Sequence, residues 1–526
     1  MKPTISLLSR QKTLTLLTTL LILIESLGKV ASSLTLAPLT DQLINKNFNG
    51  VVFWLLSTIT IWGITLTIGY VNSVLKAQII RKVTNQLRTD IADGLSTVSI
   101  PEYKKVNHNE YVSWLTNDVN MIEQNGLDAF FSLLGNVTTL LFAVTSLAFY
   151  HYSLALAAII LGLLTMTIPQ FFSKIMTRET NRLATANSSF LGKADDIIGG
   201  FSVFFSHNLG NAFTHKLAVA SDQQGKEKVL YTKNVGLVNL LISGVNVTAQ
   251  MLVLTLTCLL VVGGYFTVGV ISSSGSLAGT VFNNLAGMIQ GIFQMKSVTV
   301  LLHKDTSSKE PALSPEDDSF KNALTVDHLS FNYGEKPVIK DISYRFEKGG
   351  KYAILGKSGT GKSTLINLMS GRLTNYSGSI HVDDLELNSL PASTLNAKIE
   401  LVDQKSYIFN ESVQENITLG KPNASNTLNK IVEFLGINTF TSLSTNIHEH
   451  GSNLSGGQRQ KLALARALSF RKPILIVDEV TAGIDDESAQ AIEDALLAEK
   501  DLTVIMITHH LTPKTKAQLT GTLELA

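Results

Sequence analysis

Gly356-Lys357-Ser358-Gly359-Thr360-Gly361-Lys362-Ser363-Thr364 is the stretch whose reading decides this chain. Tyr352-Ala353-Ile354-Leu355 precedes it and Leu365-Ile366-Asn367-Leu368-Met369 follows, which reads as strand, glycine-rich turn, helix. The spacing G-x-x-x-x-G-K-S suits a polyphosphate. Glycines let the backbone wrap closely and turn its N–H groups inward. A helix starting near Lys362 adds the positive end of its dipole. Lys362 is placed to reach the outer phosphates and the Ser363 hydroxyl to hold Mg²⁺.

At 526 residues the chain is expected to hold several domains. Lys plus Arg number 43 and Asp plus Glu 42, a net charge of +1 that gives no argument for nucleic acid. The single cysteine, Cys258, sits in an apolar run, so an intrachain disulfide is impossible and a zinc cluster is not expected. The apolar excess lies before about residue 300. That asymmetry predicts a membrane half over 1–305, a linker over 306–320 and a soluble half over 321–526.

The first half reads as spans of about 20 residues. Five run near 14–37, 51–75, 127–150, 154–175 and 235–262, and a sixth, less apolar, near 276–295. Lys and Arg cluster before span one, between spans two and three, between four and five, and after six. The other loops carry only Lys46, so both termini are expected on the cytoplasmic side. The two basic connections keep helical spacing through 78–95 and 183–217, which predicts helices that continue past the bilayer before turning back. The expected turns are 107–114 and 199–208. Ser243, Asn246 and Gln250 fall on one face of span five, and Asn283, Gly287, Gln290 and Gln294 on one face of span six. Such stripes fit a water-filled cavity or interhelical hydrogen bonds equally well. Glu25 and Lys29, one helical turn apart, read as a structural ion pair.

After the linker, short apolar runs alternate with helical patterns down to Ile507, an α/β arrangement around a mostly parallel sheet. Ile474-Leu475-Ile476-Val477-Asp478-Glu479 is a buried strand ending in two carboxylates. Asp478 is placed to hold Mg²⁺ and Glu479 to polarise an attacking water. Leu454-Ser455-Gly456-Gly457-Gln458 opens a helix and forms a second anion site. Gln404 ends a strand, with its amide as a neutral reach toward the metal. His509 ends the last clear strand and offers an imidazole to the terminal phosphate.

In this order and spacing the motifs resemble the nucleotide-binding domain of ATP-binding cassette (ABC) transporters. With the membrane half in front, the chain resembles a half-transporter of the exporter type. The resemblance implies a bundle of six transmembrane helices with long intracellular extensions, followed by a P-loop NTPase domain of ABC type. It implies that Tyr333 stacks on adenine, and that Gly356, Lys357, Ser358, Gly359, Thr360, Gly361, Lys362, Ser363 and Thr364 form the Walker A loop. Gln404 corresponds to the Q-loop glutamine, at the seam with the membrane domain. Ser455, Gly456, Gly457 and Gln458 belong to the signature. Asp478 corresponds to the Walker B aspartate, Glu479 to the catalytic glutamate, Asp485 to the D-loop aspartate and His509 to the switch histidine. Ser363, Gln404 and Asp478 would hold Mg²⁺, while Glu479, His509 and Lys362 would carry the chemistry on ATP. Each ATP would lie between the Walker A loop of one chain and the signature of another, so the partner is a second half-transporter chain, identical or not.

Two segments depart from the family pattern. The D-loop reads Thr481-Ala482-Gly483-Ile484-Asp485, and His448 and His450 flank Glu449 where Gly and Arg are usual. Few residues follow His509, so the family's C-terminal strands and helix are expected to be shortened. The function implied is ATP-driven export of an amphipathic substrate (peptide, lipid or drug) by an integral multi-pass protein of a bacterial cell membrane, with its nucleotide-binding domain in the cytoplasm. An importer of a metal chelate or haem, or an ATP-gated channel or sensor, fits the same motifs.

Overall fold

In the computed structural model the described residues are 2–299, 301, 320–422, 425–479, 484, 486–508 and 512–525. The chain folds as two compact units, Met1–Ile91 with Val112–Asp305 and Ala92–Tyr111 with Thr306–Ala526.

The first unit is helical. Its longest helices are Phe48–Ser96, Tyr152–Gly199 and Gly210–Val262, of 49, 48 and 53 residues. At about 1.5 Å per residue each exceeds 70 Å, more than twice a hydrocarbon layer of about 30 Å. The long basic connections are therefore helical extensions. Tyr152–Gly199 and Gly210–Val262 pack along each other. Their polar ends are joined by Arg182 to Glu227 at 3.0 Å, Lys193 to Gln223 at 2.9 Å and Gln224 to Asn187 at 2.8 Å.

The turns differ in detail from expectation. Residues 108–113 are helical, and the first reversal falls earlier, around the short helix Ile100–Tyr103. Ser99 caps that helix and Pro101 opens it. Tyr103 then stacks on Tyr111 with ring centres 4.7 Å apart. The second reversal contains the short helix Phe201–Ser206, inside the expected 199–208.

Four described helices are long and apolar enough to cross a membrane: Thr4–Ile44, Phe48–Ser96, His108–Tyr150 and Gly210–Val262. Tyr152–Ile168 with Phe171–Gly199, bent by 40°, makes a fifth. The expected sixth span exists as the helix Gly269–Ser297 but is not among them. It packs against several neighbouring helices, and part of its polar set meets protein, while Asn283 and Gln290 of the expected stripe are exposed. Ser276 bonds Ser33 at 2.9 Å, Ser273 accepts from Tyr150 at 3.0 Å, and the Phe282 carbonyl accepts from Asn246 at 3.3 Å. Gln250 in turn donates to Asn246 at 2.5 Å. Of the two readings left open for the stripe on span five, interhelical bonding is the one seen at Asn246, while Gln250 bonds Asn246 within the same helix. Glu25 and Lys29 pair at 2.7 Å, and Asn72 donates to the second Glu25 oxygen at 3.1 Å.

The second unit contains two sheets. Strands β1 (Ala323–Tyr333), β2 (Lys336–Glu347), β4 (Ser377–Val382) and β5 (Leu385–Glu386) form an antiparallel sheet ordered β2-β1-β4-β5. Strands β3 (Lys351–Gly356), β6 (Ile399–Val402), β7 (Ile474–Asp478), β8 (Thr503–Ile507) and β9 (Gly521–Leu525) form a parallel sheet ordered β6-β7-β8-β3-β9. The central strands β3, β7 and β8 are covered on both faces and read as apolar runs, whereas the edge strand β9, Gly521-Thr522-Leu523-Glu524-Leu525, alternates. Ile354, Ile476 and Ile505 are completely buried, each worth roughly 1.5–3 kcal/mol on a transfer scale.

Candidate active site

Strand register brings the motifs together. Ile354 pairs with Ile507, Asp478 with Ile507, and Val402 with Val477. The loops that leave β3, β6, β7 and β8 therefore emerge along one edge of the sheet. Ligands of open α/β sheets bind at such carboxyl-terminal edges.

The loop after β3 turns on left-handed glycines. Gly359 has φ +86° and Gly361 φ +94°. A Cβ on Gly361 would lie 2.9 Å from Ile339 and 3.1 Å from the Val338 carbonyl, so the loop is pressed onto β2 there. The helix Lys362–Met369 follows directly. Lys362 is buried, and its ammonium donates to the carbonyls of Gly356 at 2.8 Å and Lys357 at 2.9 Å. It is thus folded back across the loop it belongs to.

Ser363, in the first turn of the helix Lys362–Met369, and Asp478, at the end of β7, are brought together across the sheet edge. Burial pushes the Asp478 carboxyl above the usual carboxylate range. The Ser363 hydrogen bond and the Lys362 charge pull it back, while Glu479 and Asp403 push it further up. Glu479 sits at a left-handed φ of +50°, with its N–H bonded to the Ile507 carbonyl at 3.2 Å. Non-glycine residues take up this strain when the surroundings over-determine it. Gln404 donates from Nε2 to Glu479 Oε2 at 2.9 Å. Sequence reasoning aims Gln404 at the metal. Here its amide nitrogen engages the glutamate, and the amide oxygen is the atom left for a cation.

Tyr333 is half exposed at the end of β1, edge-on to Phe331 with centres 4.9 Å apart. Ser455 caps the helix Gly456–Phe470. Its hydroxyl accepts from the Gln458 N–H at 3.2 Å, and its own N–H donates to Gln458 Oε1 at 2.8 Å. This reciprocal capping box satisfies two donors of the first turn. Gly457 is buried, whereas Gly456 is exposed with nothing within 4 Å of a Cβ built on it. Asp485 and His509, with Thr481, Ala482 and Gly483, lie outside the described residues.

Sequence reasoning gave no role to Arg372, which donates from one nitrogen to both Asp403 oxygens at 2.7 and 2.6 Å. Nor did it find Arg466, which holds the Asn416 carbonyl at 2.8 Å and the Tyr407 carbonyl at 2.9 Å. The signal for the first was an aspartate directly before Gln404. For the second there was none, because the partners are backbone carbonyls 50 and 59 residues away.

Comparison with known proteins bears on both halves. A family model described as ABC transporter transmembrane region matches residues 15–285, and one described as ABC transporter matches 339–482. An ATP-dependent lipid A-core flippase of Pseudomonas fluorescens (strain Pf0-1) is 27% identical over 475 residues, covering 86% of this chain and 77% of that protein. A putative multidrug export ATP-binding/permease protein of Staphylococcus aureus (strain NCTC 8325 / PS 47) is 27% identical over 457 residues, covering 83% and 78%. The solved structure of a bacterial Atm1-family ABC exporter with ATP bound superposes with a TM-score of 0.81 at 19% identity, covering 98% of this chain and 93% of that one. At that identity the likeness speaks for the fold.

Proposed function

The chain belongs to the ABC transporter family, an ATP-driven membrane transporter with its own ATP-hydrolysing domain, and from that premise we propose how the site works and what it moves. ATP binds with its adenine on Tyr333 and its phosphates in the loop 356–364. Lys362 exchanges its bonds to the Gly356 and Lys357 carbonyls for the outer phosphates. Glu479 takes the proton of the attacking water, and Gln404 holds the glutamate in place for that step. His509 steadies the γ-phosphate. The candidate metal ligands Ser363, Gln404 and Asp478 offer a hydroxyl, an amide oxygen and a carboxylate, an all-oxygen set that suits Mg²⁺. When bound, Mg²⁺ would neutralise charge on the phosphates.

The signature Ser455–Gln458 closes on the ATP held by a second chain, identical or not, with Asp485 at the seam. Gly456 is the open face of that surface. The cassette lies in the cytoplasm of a bacterial cell, a placement supported by the Lys and Arg distribution of the loops and by bacterial relatives. The cargo is an amphipathic molecule (lipid, peptide or drug) moved outward, in keeping with relatives named for lipid A-core and multidrug export.

The observation that carries this reading is the Gln404–Glu479 hydrogen bond at the sheet edge from which the phosphate loop, with its buried Lys362, also emerges. The test is Glu479→Gln in proteoliposomes. ATP should still bind while hydrolysis falls to background. Hydrolysis at the parental rate would reject the assignment. Stimulation of the parental ATPase across lipids, peptides, drugs and metal chelates then identifies the cargo class.

A further inference from the structure

We propose that Arg372 is a positioning residue for ATP hydrolysis, acting through Asp403 to hold Gln404 against Glu479. The inference rests on the catalytic reading above and extends it to a residue that touches neither phosphate nor water.

The connections are short and run one way. The Arg372 N–H bonds the Asn367 carbonyl at 2.9 Å, which anchors it to the helix Lys362–Met369. Asn367 reaches back within that helix to the Ser363 carbonyl at 2.7 Å. The Arg372 guanidinium then crosses to the neighbouring strand end. It grips both oxygens of Asp403 at 2.7 and 2.6 Å and points a second nitrogen at the Leu401 carbonyl at 3.4 Å. Arg372 is shielded at 22% exposure and Asp403 is nearly half exposed at 45%, so the pair lies at the boundary of the fold and is partly screened. Asp403 is the first residue beyond β6, and Gln404 is the next. Gln404 donates to Glu479 Oε2 at 2.9 Å.

Gln404 is exposed and leads a segment without regular structure. Its reach to Glu479 depends on how the backbone leaves β6. The Arg372 grip on both Asp403 oxygens fixes that departure relative to the helix carrying Lys362 and Ser363. The guanidinium uses one nitrogen for the Asp403 carboxylate and a second for the Leu401 carbonyl at a fixed angle, whereas a lysine ammonium is a point charge on a flexible stem. The geometry thus couples the helix after the phosphate loop to the glutamate through Asp403 and Gln404.

The test compares Arg372→Met, Arg372→Lys and the charge swap Arg372→Asp/Asp403→Arg in the full chain in proteoliposomes. Glu479→Gln is carried alongside. Arg372→Met should lower kcat about tenfold with the KM for ATP within about twofold and an unchanged melting temperature. Arg372→Lys should recover part of kcat, and the swap more than either single change of its pair. Parental kcat in Arg372→Met, with Glu479→Gln inactive, would overturn this inference alone. So would equal losses of kcat and melting temperature that lysine does not relieve, because those mark a purely structural contact. An active Glu479→Gln would reject the catalytic reading itself.

Discussion

Replacing Gly456 by Asp should leave the cassette folded and stop its turnover. The position is exposed, opens the helix Gly456–Phe470 and has nothing within 4 Å of an added Cβ. Losing a helical glycine contributes roughly 0.5–1 kcal/mol of stability, and a carboxylate in the first turn adds about 0.3–1 kcal/mol through the helix dipole. The melting temperature should therefore hold or rise by a few degrees. A partner chain's ATP would meet the new charge across the closed interface. At a separation of about 5 Å and an effective dielectric near 20, one unit charge repels another by about 3 kcal/mol. That corresponds to roughly a hundredfold loss in ATP turnover. Thermal unfolding without nucleotide and steady-state phosphate release from the same preparation measure the two effects. Parental turnover in a folded Gly456→Asp protein would refute the closure of this surface over a nucleotide. A collapse in melting temperature would refute the packing argument.

Two further outcomes follow from the cassette. Gly361→Ala should lower the nucleotide-free melting temperature by about 5–15 °C, since left-handed strain of roughly 1–2 kcal/mol adds to crowding against Ile339 and the Val338 carbonyl. Gly359→Ala carries the strain without the crowding and should lose less; equal losses would show that the Gly361 contact is unimportant. His328, exposed on β1, is raised above its ordinary 6.5 by the Asp341 hydrogen bond at 2.7 Å, the Asp341 charge and the Asp327 charge. The protonated pair stabilises the fold below about pH 6.5, and that contribution is lost as pH rises through the folded value. Histidine NMR of the full chain should show this elevation and its loss in Asp341→Asn; an Asp341→Asn titration identical to the parent would contradict it.

Legibility divides by how local the cause is. The glycine pattern 356–364 and the apolar strand ending at Asp478 declare themselves because their chemistry lies within a few residues. The Glu25–Lys29 pair was readable for the same reason, as i and i+4 share a helix face. The polar stripe on span five was not decidable. Asn246 needed the Phe282 carbonyl, 36 residues away, to show that it bonds between helices. The sixth span was legible as a helix, Gly269–Ser297, though it falls outside the set long and apolar enough by composition to cross a membrane.

By itself the amino-acid order determined an ATP-driven, membrane-embedded member of the ABC family, because phosphate-loop spacing and apolar length are properties of short windows. Only the tertiary structure decided that Gln404 turns its amide nitrogen to Glu479, that Arg372 clasps the aspartate before it, and that Ser363 meets Asp478. Those choices depend on which strand ends lie side by side in the parallel sheet. Strand order is set by packing among strands spread from Lys351 to Leu525, and no local pattern encodes it.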